Sequence, residues 1–538
     1  MSWLFIADRL YLFEKERQVK MKVTRQISRR SFLKMGMAGL LSIPFISCNS
    51  NELLRSKPNL VVIFADDVGL GDIGFYHKQR TGKTPVIPTP NIDKMISDGI
   101  RFNDAHAPNS LCAPSRFSML TGNYSFRNES PFGVWLPWKD PGIEPKYTTS
   151  ARIAKQGGYA TAFFGKWGCG GQLKEKDTGK SIDRESIKAE DYIQLYKSAN
   201  YFGFDYALEL PRGIQGGPFA FYENSKWMPL EESSKLEWVG SEQHRLSEVK
   251  KDYYGAIGDS NWDPTQVGPI LASKAVKYIK KQTADNPNQP FFMYYCTQAV
   301  HKPHAPPKEL DGIPIAGSTP QFQGDMVHEL DVQIGMIIKC LKETGVYKNT
   351  LLILTSDNGG LSPTPALAKA GHDSSNGLRG FKGRIYEGGD RVPFIAVWPN
   401  SIKPATESNE PIVAHDIVAT MAAITEQKLS KDVVKDSLNL LPLFFGNPKA
   451  KGHEVILQQS LHGPHYAIRK NEWKLILLAP DKKNVKDLKP IALFDLQNNP
   501  FEDKKYNQID NEQYQRVVIE LLEEYLELRE TGKATVIN

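Results

Sequence analysis

The stretch Pro58-Asn59-Leu60-Val61-Val62-Ile63-Phe64-Ala65-Asp66-Asp67 decides the fold. Residues 60–65 are apolar without a break and rich in β-branched side chains, which predicts a strand buried on both faces and hence a parallel sheet. The run ends in two adjacent carboxylates, Asp66 and Asp67. Far downstream, Leu351-Leu352-Ile353-Leu354-Thr355-Ser356-Asp357-Asn358-Gly359-Gly360 repeats the design with an acid–amide pair followed by glycines. Helical periodicity lies between them, as over 325–344. This alternation predicts an α/β fold with a doubly wound, mostly parallel sheet. Ligands of such sheets bind beyond the carboxyl ends of the strands, so both acidic pairs are expected at one edge. Either pair alone reads equally well as a helix cap. Together they offer several oxygens and no soft ligand, which suits Ca²⁺ or Mg²⁺ rather than zinc.

The chain has 538 residues, 40% hydrophobic and 24% charged. That length exceeds what a single core supports, so at least two packed units are expected. The net charge of +6 is spread along the chain and interleaved with acids. A nucleic-acid binder would gather Lys and Arg on one stripe, so no nucleic-acid partner is expected. Five cysteines in so long a chain do not make a disulfide scaffold.

Residues 27–48 read ISRRSFLKMGMAGLLSIPFISC. Arg29 and Arg30 precede a short apolar run, the pattern of an export signal over residues 1–48 and too short for a permanent membrane span. The string SRRSFLK is similar to a twin-arginine signal, which exports folded proteins. Phe45-Ile46-Ser47-Cys48 is a loose lipoprotein box that would acylate Cys48. An uncleaved hydrophobic anchor is the other reading. Met21 begins a well-formed signal, which points to a start downstream of Met1. The expected location is the periplasm or, through a lipid on Cys48, the surface of a bacterial cell envelope; no other membrane contact is expected.

The most specific string is Cys112-Ala113-Pro114-Ser115-Arg116-Phe117-Ser118-Met119-Leu120-Thr121-Gly122. Its C-x-P-S-R-x-x-x-L-T-G pattern resembles the signature of the type I, formylglycine-dependent sulfatases, whose fold is related to alkaline phosphatase. The resemblance runs on in order through Gly165-Lys166-Trp167-Gly168, His301-Lys302-Pro303-His304-Ala305-Pro306, Thr355–Gly359 and the lysine segment 378–389. It also covers Ala467-Ile468-Arg469, Trp473–Ile476 and Leu493–Leu496 near the C-terminus.

That resemblance implies an alkaline-phosphatase-like fold and sulfate ester hydrolysis. A maturation enzyme would oxidise Cys112 to formylglycine (3-oxoalanine), whose hydrate is a gem-diol. One hydroxyl attacks sulfur to give a covalent sulfo-enzyme, and the other expels sulfate, dividing one hard step into two easier ones. Asp66, Asp67, Cys112, Asp357 and Asn358 would form the metal site, with Ca²⁺ preferred to Mg²⁺. Arg116 would orient the diol, and Lys166 and Lys382 would clamp the sulfate oxygens. A histidine must protonate the leaving oxygen. His304 is the preferred acid, and His301 is expected to line the substrate pocket. Many of the family read G-K-W-H where this chain has Gly168, which leaves the base for sulfate release unassigned.

Residues 58–430 are expected to form the large catalytic domain and 431–538 a smaller α+β domain that completes the pocket. The stretch 172–290 holds Tyr201, Phe219, Phe221, Tyr222, Trp227, Trp238 and Trp262, which read either as core or as a wall for sugar rings. His372, His462 and His465 are further candidates for the pocket mouth. The expected substrate is a sulfated carbohydrate. Two alternatives stand beside it: a phosphoesterase or phosphonate monoester hydrolase of the same superfamily, and a glycan-binding lipoprotein without activity.

Overall fold

A computed structural model describes residues 57–130, 134–173, 187–240, 255–460, 463–481, 485 and 487–536. The export-signal reading, with Met21 and Cys48, and the candidate His462 lie outside the described residues. The described residues pack as one compact unit.

Asn59–Ala65 is a strand at the middle of a ten-stranded sheet. It pairs in parallel with Phe291–Cys296 on one side and Thr350–Ser356 on the other. Ala160–Lys166 and Tyr206–Leu210 continue the parallel run outward from Phe291–Cys296. Shorter strands extend the sheet at both flanks, and Phe394–Val397 and Phe221–Glu223 join it antiparallel. The central strand divides its side chains between two cores. Leu60, Val62 and Phe64 face one layer with the helices Cys112–Thr121, Ser150–Gln156 and Ile417–Ile424. Val61, Ile63 and Ala65 face the other, with Pro90–Asp98, Val267–Asp285 and Phe322–Glu343. Helices on both faces explain why the strand carries no polar alternation.

A second, antiparallel sheet follows, built from Val455–Gln459, His465–Lys470, Trp473–Leu478 and Lys489–Asp495. The helix Gln515–Glu530 covers it through Val518, Leu521, Tyr525 and Leu528. Leu440, Leu441, Leu443 and Phe444 pack into the first core, where Phe444 lies against Phe102 and Phe394. The aromatics of 172–290 divide. Phe219, Phe221, Tyr222 and Trp262 are core residues, whereas Tyr201 and Trp238 are exposed.

Candidate active site

Four neighbouring parallel strands deliver the site from their carboxyl ends. Asn59–Ala65 runs into Asp66 and Asp67, Thr350–Ser356 into Asp357 and Asn358, Ala160–Lys166 ends in Lys166, and Phe291–Cys296 leads to His301. Asp67 turns sharply, with φ 68°, and its amide donates to Asp357 Oδ1 at 3.1 Å. A non-glycine residue in this region costs on the order of 1 kcal/mol or more and persists where the surroundings over-determine it. Cys112 opens the helix Cys112–Thr121, whose N-terminus favours negative charge. Its ligand atom and those of Asp66 and Asp357 all lie within 4.8 Å of one another.

Three cations interlock with three carboxylates. Arg116 donates from Nη2 to Asp357 Oδ2 at 2.7 Å and from Nη1 to the Lys166 carbonyl at 2.9 Å. Lys166 Nζ reaches Asp66 Oδ2 at 2.7 Å, and Lys382 Nζ reaches Asp67 Oδ2 at 2.7 Å. Burial alone would raise the Asp66 carboxyl, but Lys166 and Arg116 hold it far below the usual range. Burial and the neighbouring Asp66 push Asp357 up to about 7, against the pull of Arg116. Burial opposes the charge on Lys382, yet Asp67 and the field of the cluster keep the ammonium protonated well above its ordinary range.

The donor set fits a hard divalent ion. Asp66 Oδ1 and Asn358 Oδ1 are buried acceptors without a hydrogen-bond partner, while Asn358 Nδ2 donates to Asp67 Oδ1 at 2.9 Å. Orphaned buried oxygens are costly, and a cation satisfies them. With Asp66, Asp67, Asp357 and Asn358, this is the oxygen set read from sequence.

The two histidines differ. His301 Nε2 lies 3.8 Å from Asp67 Oδ2, and its side chain keeps 20% exposure. Its Nδ1 is 2.7 Å from the Lys302 carbonyl; a carbonyl only accepts, so Nδ1 carries the proton there and Nε2 faces the carboxylates. Burial, then Lys382, lowers the His301 pKa to about 4. His304 lies three residues on, half-buried, with Nε2 closed off from solvent. The geometry brings His301 to the charge cluster, with Nε2 3.8 Å from Asp67 Oδ2.

Gly168 sits against the same cluster with φ 75°, and a Cβ there would stand 2.9 Å from Arg116 Cδ. The histidine of many family members at this point has no room beside this Arg116 conformation. His372 is buried, with Nε2 2.9 Å from Asp72 Oδ1. His465 begins a strand of the second sheet. Missed from sequence was a group of hydrogen bonds joining Ser110, Gly383 and Ser460; serines in loops carry no motif that would have exposed it.

The family described as Sulfatase matches residues 58–427, and that described as N-sulphoglucosamine sulphohydrolase, C-terminal, matches 380–531. The chain is 31% identical over 483 residues to an N-acetylgalactosamine-6-O-sulfatase of Bacteroides thetaiotaomicron, covering 84% of this chain and 88% of the relative. It is 30% identical over 405 residues to human arylsulfatase A, covering 75% and 71%. A solved structure from work on the metabolism of multiple glycosaminoglycans by Bacteroides thetaiotaomicron superposes with a TM-score of 0.73 at 29% identity, covering 88% of this chain and 100% of that one. The chain belongs to the sulfatase family and is a sulfuric ester hydrolase.

Proposed function

We propose that this sulfatase removes sulfate from a sulfated glycan, using Cys112 after its oxidation to formylglycine by a maturation enzyme, and Ca²⁺ held by Asp66, Asp67, Asp357 and Asn358. The observation that carries the reading is the balance of charge around Cys112. Asp66, Asp67 and Asp357 are matched by Arg116, Lys166 and Lys382. A divalent ion added to that neutral set leaves an excess of positive charge, suited to an anionic ester. When present, the ion supplies Lewis-acid polarisation of a sulfuryl oxygen, and hydrated formylglycine supplies a hydroxyl nucleophile.

The remaining work falls to the chain itself. Lys166 and Lys382, now on Asp66 and Asp67, are the compact charges that hold sulfuryl oxygens. Arg116 is 1% exposed and fixed by Asp357 and the Lys166 carbonyl, so it orients its neighbours rather than meeting bulk substrate. His301 is the proton donor to the leaving oxygen in its doubly protonated form, with Nδ1–H held by the Lys302 carbonyl and Nε2–H aimed at the leaving group. Asp66, Asp67 and the anionic ester favour that form against the burial that lowers its pKa. Having given up that proton, Nε2 is the base for the return proton, a role that Gly168 cannot take.

Residues 1–48 read as an export signal, and we propose a periplasmic or lipid-anchored location, with Cys48 as the acylated residue. No helix among the described residues is long and apolar enough to cross a membrane. The second sheet, over most of 431–538, is proposed to complete the substrate pocket.

A screen of defined monosulfated sugars, with phosphate esters in parallel, tests the substrate class. Release of sulfate from one sugar position is expected. Much faster phosphate turnover would favour the phosphoesterase reading instead. Mass spectrometry of the tryptic peptide 102–116 from the native host should show the aldehyde; an unmodified thiol there would overturn the nucleophile assignment. His301→Gln should lower kcat on the order of a hundredfold or more, and His304→Gln far less. The reverse order would return the acid role to His304.

A further inference from the structure

We infer that Ser460, at the end of the first strand of the C-terminal sheet, is a positioning residue for catalysis, setting where Lys382 stands relative to Cys112. The inference rests on the sulfatase reading and adds to it a residue from outside the catalytic sheet.

Three chain segments meet behind the charge cluster. Ser110, two residues before Cys112, directs its Oγ–H to the Gln459 carbonyl at 3.0 Å, and its amide reaches the same oxygen at 3.3 Å. The Ser110 carbonyl accepts from the Gly383 amide at 2.8 Å. The Gly383 carbonyl accepts from Ser460 Oγ at 2.6 Å. Since Gln459 and Ser460 are consecutive, these bonds close a ring through the nucleophile segment, the lysine segment and the C-terminal sheet. Ser110 is 2% and Ser460 4% exposed, so water does not compete for these bonds.

Gly383 directly follows Lys382. On its other side the Lys382 amide donates to the Gly360 carbonyl at 2.9 Å, two residues beyond Asn358. The backbone carrying Lys382 is therefore fixed in front by the metal-ligand loop and behind by Ser110 and Ser460. Around Gly383, the Ser460 hydroxyl is the side-chain contribution; Ser110 meets it through backbone. Removing the hydroxyl leaves the Gly383 carbonyl, buried, without that donor and frees one end of the lysine segment. Lys382 reaches its partner through a long flexible side chain, so a small backbone drift moves the ammonium away from developing sulfuryl charge. Displacements near 1 Å cost up to about a hundredfold in rate.

The experiment compares Ser460→Ala and Ser460→Thr with the wild-type full chain on a chromogenic aryl sulfate, with rates normalised to formylglycine content measured by mass spectrometry. Ser460→Ala should lower kcat about tenfold with KM within about twofold, and Ser460→Thr, which keeps the hydroxyl, should recover most of the loss. The inference is overturned if Ser460→Ala keeps wild-type kcat, if the loss falls on KM, or if Ser460→Thr is as slow as Ser460→Ala. A wild-type chain that cleaves no sulfate ester would instead remove the activity itself, a separate result.

Discussion

Arg116 binds Asp357 at 2.7 Å with one arm of its guanidinium and the Lys166 carbonyl at 2.9 Å with the other. Two strand ends are thereby joined to the helix that begins at Cys112. The fork stands over the Phe64 ring, 5.2 Å from its centroid, in full burial. Arg116→Met should cost about 3–5 kcal/mol in the chelated protein, because buried carboxylates lose their partner. Urea denaturation after chelation measures it. Arg116→Lys keeps the charge but not the planar fork; it should retain more stability yet lose activity on the order of a hundredfold.

Gly168 takes a left-handed conformation beside Arg116. Gly168→Ala should cost about 1–2 kcal/mol from the backbone alone, with a further loss of kcat as Arg116 moves. Gly168→His, the residue many family members carry, should slow this enzyme rather than speed it. A turnover assay with thermal melting separates the two effects.

Lys474 is fully buried between Glu387 at 2.9 Å and Glu502 at 3.0 Å, tying the C-terminal sheet to the segment after Lys382. Burial raises Glu502 to about 7, and Lys474 with Arg391 overcomes burial to hold Glu387 well below the carboxylate range. Lys474→Met should lower stability by about 3–5 kcal/mol, read from the denaturant midpoint.

Glu329 lies beneath the histidine loop, bonded to the Gln298 and Gln333 amides, and burial raises its carboxyl from 4.5 to about 8. Between those values the folded chain holds a proton that the unfolded chain has lost. Stability from this group is therefore greatest at low pH and falls as pH rises through that window, by up to about 1.4 kcal/mol per pH unit. Glu329→Gln should flatten the dependence, measured by denaturant melts at pH values across the window.

Much of the frame was legible because it rests on local pattern. Residues 60–65 and 351–356 lack polar alternation, and both are central strands covered by helices. The helix read over 325–344 runs Phe322–Glu343.

By itself the sequence determined the sheet type, the oxygen-rich strand ends and the segment around Cys112, because strand burial and motif chemistry are written in consecutive residues. Tertiary structure alone placed His301 Nε2 3.8 Å from Asp67, since nothing in the short loop it shares with His304 gives the direction of either side chain. It also decided that Gly168 leaves no space beside Arg116, and that Ser460 reaches the lysine segment. Those are contacts between residues far apart in the chain, set by how the sheets pack and not by any local pattern.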